Sequence, residues 1–236
     1  MKMKREQKRK SRQRSKRQRR KRIKIWFRRI VLFILISAMT AGIVFAYNLL
    51  KEPRVQGMRA SKFETHPAWE EEFLTVNEYS RPGSRLLKVD KLYVHYTANP
   101  GTNAHQNRSY FENLAETKET KASAHFIIGY EGEIVQCIPL DEIAYAVAGE
   151  NHHSVSIECC YVAEDGSFTK ETYDSLITLL NWLCDAYHLE KEDILRHYDS
   201  NGKLCPLYYA EHEDAWEQLK NDVFSQQTNI DKCKER

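Results

Sequence analysis

The first 29 residues hold a single acidic side chain, Glu6, against 17 of the chain's 36 lysines and arginines. Beyond them the imbalance reverses. There, 19 basic residues face 32 acidic ones, so the overall charge of +3 divides into a tail near +16 and a body near −13. A body short of positive charge binds nucleic acid poorly, because phosphate binding depends on a cationic face that releases counterions. No nucleic-acid partner is therefore expected. Internal repeats are also missing, and 236 residues suffice for one domain of ordinary size with extra segments.

Charge is absent altogether from Ile30 to Leu50 (IVLFILISAMTAGIVFAYNLL). A run of about 20 apolar residues matches the thickness of a hydrocarbon core, which predicts one transmembrane helix over 30–50. Trp26 and Tyr47 flank it as interfacial aromatics. Lysine and arginine crowd its N-terminal side, so residues 1–29 are expected to remain cytoplasmic, touching anionic lipid, with the rest of the chain outside the cell membrane. A cleaved secretory signal is the alternative, with Ala41-Gly42 and Ala46 as candidate small residues for cleavage.

Residues 51–74 read as a polar linker containing the acidic patch Glu70-Glu71-Glu72, residues 75–225 as one compact domain, and residues 226–236 as a polar tail. Within the domain, turn chemistry at Ser80-Arg81-Pro82-Gly83 precedes a strand over 91–97. Residues 105–119 read as a helix. Residues 124–130 and 133–138 read as a hairpin closed by Glu131-Gly132, and 154–162 as a buried strand. Tyr173, Leu176, Ile177, Leu180, Leu183, Cys184 and Tyr187 recur at helical spacing, predicting a long helix that begins at Thr169 or Lys170. A last helix is expected from about Tyr209 to Phe224. Strands interleaved with helices predict an α/β domain with a mixed central sheet flanked by helices.

Three places carry chemistry. His95 closes the hydrophobic strand Tyr93-Val94-His95-Tyr96-Thr97, an ordinary occurrence by itself. The polar loop from His197 to Pro206 presents an imidazole and the Cys205 thiol eight residues apart, with Lys203 two before the thiol. Imidazole and thiolate both suit Zn²⁺, and a catalytic zinc takes three protein ligands plus water. Glu158 interrupts an apolar strand on the face shared by Ser156 and Cys160, and a carboxylate there needs a partner.

Together these segments resemble the zinc-dependent N-acetylmuramoyl-L-alanine amidases, relatives of phage amidase lysozymes and animal peptidoglycan recognition proteins. The resemblance runs from Tyr79 to Trp216. It rests on Val94-His95-Tyr96-Thr97-Ala98, Ser123-Ala124-His125-Phe126, Gly132 to Gln136, Asn151 with Ser154 to Glu158, and His197 to Pro206. It implies that His95, His197 and Cys205 hold Zn²⁺, that Glu158 is the general base, and that Lys203 faces the developing oxyanion. It further implies that His125 and Asn151 belong to the substrate groove and that the substrate is bacterial peptidoglycan. Two positions depart from the family pattern. Ala124 stands where some phage members have tyrosine, and Ala146-Val147 where many have a Trp-His pair.

With Cys205 as a ligand, five cysteines remain, so at least one is unpaired within the chain. Buried free thiols are expected at Cys137 and Cys184, with a bridge from Cys159 or Cys160 as the alternative. His152-His153 read as groove-rim or surface residues and His188 as a surface or dipole-complementing residue, and His66, His105 and His212 receive no role. Two rival functions stand beside the hydrolase: a membrane-anchored peptidoglycan-binding module without catalysis, and an enzyme using Cys205 as nucleophile with His197 as base.

Overall fold

A computed structural model describes Trp26 and residues 66–234, with side chains through Ser225. The expected transmembrane helix and nearly all of the basic tail lie outside the described residues. Among those described, no helix is long and apolar enough to cross a membrane.

The elements run β1 (Glu70–Glu71), β2 (Lys91–Tyr96), α1 (Ala104–Thr117), β3 (Phe126–Ile128), β4 (Ile134–Gln136), β5 (Ser154–Cys159), α2 (Lys170–Tyr187), a 3₁₀ turn (Lys191–Asp193) and β6 (Ile194–Arg196). They end with α3 (His197–Asn201), α4 (Leu207–Glu211) and α5 (Glu213–Lys234). One six-stranded sheet has the order β1-β4-β3-β5-β2-β6. Only the β3–β4 hairpin is antiparallel; every other pairing is parallel. The expected mixed α/β sheet is therefore present.

Both faces of the sheet are covered, which is why β2 and β5 are buried almost throughout. On one face Leu92, Val94, Val155, Ile157 and Cys159 meet Leu176, Leu180 and Leu183 of α2 and Trp216 and Leu219 of α5. On the other, Ile127, Val135 and Cys160 meet Phe111 and Leu114 of α1. Cys159 and Cys160 thus point to opposite cores. Helix ends are set locally: Thr169 Oγ1 accepts from the Thr172 N–H at 3.1 Å to start α2, and a reciprocal capping box between Asn103 and Gln106 starts α1.

The residues before 75 differ from the linker expectation. Glu72 N–H donates to the Gln136 carbonyl at 3.0 Å and Leu74 N–H to that of Cys137 at 2.9 Å. Leu74 is fully buried, and Trp69 packs edge-on against Phe126 and Trp182. Residues 66–74 therefore belong to the domain. The acidic patch hid this because β1 is an edge strand, whose Glu70 and Glu71 remain solvated while its backbone pairs. The last helix differs too: it divides at His212, which leaves helical geometry (φ −125°, ψ 85°) and stacks on Tyr208. Helix α5 then continues to Lys234, into residues expected to be a polar tail.

Candidate metal centre and substrate groove

Alternation and register place the first two site residues. Leu92 and Val94 face the α2 side, so Tyr93 and His95 face α1, and in β5 the same parity turns Ser156 and Glu158 to that side. The parallel register sets His95 directly opposite Glu158 at the carboxyl ends of β2 and β5. Val94 pairs with Arg196, so His197 emerges one residue beyond β6, beside His95.

Local structure in the loop then returns Cys205 to the same point. Asp199 accepts the Arg196 N–H at 2.8 Å to start the single turn of α3. Gly202, at φ 79°, ends that turn in a left-handed conformation suited to glycine. The Tyr198 N–H donates back to the Cys205 carbonyl at 3.0 Å. Arg196 clamps the whole loop from behind: it is 4% exposed and its guanidinium reaches Asp199, Glu213 and the Tyr209 carbonyl.

His95 Nδ1 lies 3.2 Å from His197 Nδ1 and 3.6 Å from Cys205 Sγ. The three donor atoms all fall within 4.8 Å of one another. Around a tetrahedral zinc with ordinary bond lengths, N···N edges measure about 3.3 Å and N···S edges about 3.6 Å. The donors thus sit at ligand-to-ligand spacing for zinc, and their chemistry fits that ion.

Electrostatics favours the two imidazoles as donors. Burial, aided by His197 and Lys203, lowers His95 to about 3, and burial lowers His197 as well, so both rings are neutral donors. Burial, with Glu158 adding, raises the Cys205 thiol to about 12. Burial also raises Glu158 to about 8, while Lys203 pulls it the other way. A groove of about 360 Å³ joins His95, Glu158, His197, Lys203 and Cys205 to Thr97, Tyr110, Lys121 and Tyr145. Three buried polar atoms without a hydrogen-bond partner among the described residues belong to groove side chains: His95 Nε2, Thr97 Oγ1 and Glu158 Oε2. Such atoms cost about 1–3 kcal/mol each, and Glu158 Oε2 and Thr97 Oγ1 leave the groove with polar groups that a ligand could satisfy.

Two residues expected in the substrate groove do not line it. His125 is buried, and its Nδ1 accepts from the Ser156 N–H at 3.1 Å while its Nε2 stands 3.0 Å from the Glu142 carbonyl. With both nitrogens engaged, the ring bolts β5 to the loop at Glu142. Asn151 Oδ1 accepts the N–H groups of Ala146 and Val147 at 3.1 and 2.8 Å. It shapes the wall at Ala146 without lining the groove itself.

Elsewhere the histidine and cysteine readings agree with the structure. His153 pairs with Asp90 at 2.7 Å, and His152 and His188 are exposed. Cys137, Cys159, Cys160, Cys184 and Cys205 are free and buried. Sequence reading missed Arg196 and the wall residues Tyr110, Lys121 and Tyr145. For Arg196 a signal existed, since an arginine three before an aspartate can box the start of a helix.

A mixed-sheet domain that gathers His95, His197 and Cys205 beside a buried carboxylate has a donor set able to hold a metal ion. Residues 85–208, just over half the chain, match the family described as N-acetylmuramoyl-L-alanine amidase, and the chain belongs to that family. It is 34% identical over 172 residues to N-acetylmuramoyl-L-alanine amidase BlyA of Bacillus subtilis strain 168, covering 64% of this chain and 45% of that protein. It is 36% identical over 147 residues to CwlL of Bacillus licheniformis, covering 57% of this chain and 40% of that protein. The chain thus spans less than half the length of these curated relatives. Among solved structures, a mutant endolysin from Bacillus subtilis superposes with a TM-score of 0.57 at 27% identity, over 66% of this chain and 98% of that one.

Proposed function

We propose that the protein is a zinc-dependent hydrolase that cuts the amide bond between N-acetylmuramic acid and L-alanine in bacterial peptidoglycan. The observation that carries this reading is the meeting of His95, His197 and Cys205 at zinc-ligand spacing beside Glu158 in one groove. Family membership and the names of the relatives supply the bond and the substrate.

Zinc held by these three side chains would supply a water nucleophile at neutral pH and polarise the scissile carbonyl. Glu158 then takes the water proton and passes it to the departing amine of L-alanine. Lys203, whose charge already acts on Glu158, His95 and Cys205, faces the negative charge that develops on the carbonyl oxygen. Residues 30–50 anchor the chain, with the basic tail cytoplasmic and the hydrolase domain outside, where peptidoglycan lies.

The direct test is release of new L-alanine amino termini from purified cell wall by full-length protein, with and without a chelator. Activity abolished by chelation and restored by zinc is the expected result. Metal binding without hydrolysis supports the peptidoglycan-binding module, and chelator-resistant hydrolysis blocked by thiol alkylation supports the cysteine enzyme. Topology is checked with reporter fusions after residue 75: an extracytoplasmic signal is expected, and a cytoplasmic one overturns the orientation.

A further inference from the structure

Lys121 lies in a wall of the groove to which the proposed reaction assigns no work. Its ammonium sits 5.7 Å from the Tyr145 ring centroid and 5.9 Å from that of Tyr79. The strap that carries it is fixed on both sides. Ala122 N–H donates to the Tyr79 carbonyl at 3.1 Å, Ser123 N–H to that of Tyr145 at 3.0 Å, and Tyr145 N–H to Ser123 Oγ at 2.9 Å. The cation is therefore held over two rings, which reduces the ordering a ligand must impose.

Its ion partner is Glu78 Oε1 at 3.1 Å, with the lysine 47% and the glutamate 72% exposed. Pairs this open to water are worth little and exchange readily for another carboxylate. The charge pattern points the same way. The groove contains Lys121 and Lys203 against the one carboxylate of Glu158, on a body that is acidic overall. Ala146 with Tyr145 forms the wall beside Lys121.

We propose that Lys121 is a specificity residue that binds a carboxylate of the stem peptide, displacing Glu78 as it does so. This rests on the amidase reading above. In substrates that present the carboxylate, the ammonium gains a charge-assisted hydrogen bond; in those that carry a primary amide there, it gains none.

The test uses zinc-loaded full-length protein and a set of soluble muramoyl peptides in which each stem carboxylate is converted in turn to a primary amide. Wild type is expected to prefer the acid over one of these amides by about tenfold in kcat/KM. Lys121→Met should abolish that preference by lowering the rate on the acid while sparing the amide. Glu78→Gln should act in the opposite direction, raising kcat/KM on the acid two- to threefold, mainly through KM. Equal loss on both compounds in Lys121→Met, or an unchanged preference, overturns the proposal. If wild type cleaves none of the compounds, the amidase reading falls, and the same acid-to-amide ratio measured by equilibrium binding decides the Lys121 claim separately.

Discussion

Replacing Glu158 by glutamine is expected to leave zinc binding intact and to lower turnover by about 10²–10⁴-fold, the usual worth of a positioned general base. Glutamine keeps the size and shape of the side chain but cannot accept a proton from water. Glu158 is not among the three donors of the cluster, so the ion should remain bound. Unchanged turnover at full metal occupancy would reject Glu158 as the base. The same substitution has a second, independent signature in the metal-free protein. Burial raises Glu158 from 4.5 to about 8, so between those values the folded chain retains a proton that the unfolded chain has released. The Glu158 contribution to stability then falls as pH rises through that window, by on the order of a few kcal/mol at pH 8, while the lowered His95 contributes in the opposite direction below pH 6.5. Metal-free Glu158→Gln lacks that contribution, so its stability relative to wild type should be higher at pH 8 than at pH 4. Denaturant midpoints for both proteins across this range check it, and parallel pH profiles would show that the carboxylate is not held neutral.

Much of the centre was legible because strand parity and loop chemistry are written in short stretches of sequence. Alternation in Ser154 to Cys159 already put Glu158 on the face opposite Val155 and Ile157, and His197 with Cys205 in a turn-rich loop already named two donors. Pairing partners were not legible. Nothing local says that β2 lies between β5 and β6, yet that order brings His95 against both Glu158 and His197. The surroundings of His125 were hidden for a related reason: a histidine before an apolar strand looks the same whether its ring faces a groove or hydrogen-bonds to Ser156 and Glu142. The place of residues 66–74 in the domain was concealed by glutamates on a two-residue edge strand, and the groove wall by its assembly from α1, the strap at 120–123 and Tyr145. Those parts are close only after the sheet has formed.

Cys205→Ser is expected to weaken zinc binding by more than 100-fold, since loss of even an outer partner of a ligand typically costs 10–100-fold. The fold should survive, because the bond returning Cys205 to Tyr198 uses the backbone carbonyl and serine occupies nearly the same space. Proton release on metal binding distinguishes loss of a ligand from a general loosening of the loop. At pH 7 both histidines are already neutral and contribute no proton. The thiol, raised to about 12, must give up its proton to ligate, and Glu158, raised to about 8, gives up most of one as a divalent charge arrives beside it. Wild type should therefore release more protons per zinc than Glu158→Gln, which lacks the carboxyl proton, and, at concentrations high enough to load it, more than Cys205→Ser, which lacks the thiol proton. Calorimetric titration in buffers of different ionisation enthalpy measures these numbers directly. Full zinc affinity in Cys205→Ser, with the proton count of wild type, would remove Cys205 from the ligand set and leave the two imidazoles without the third donor that a catalytic zinc requires.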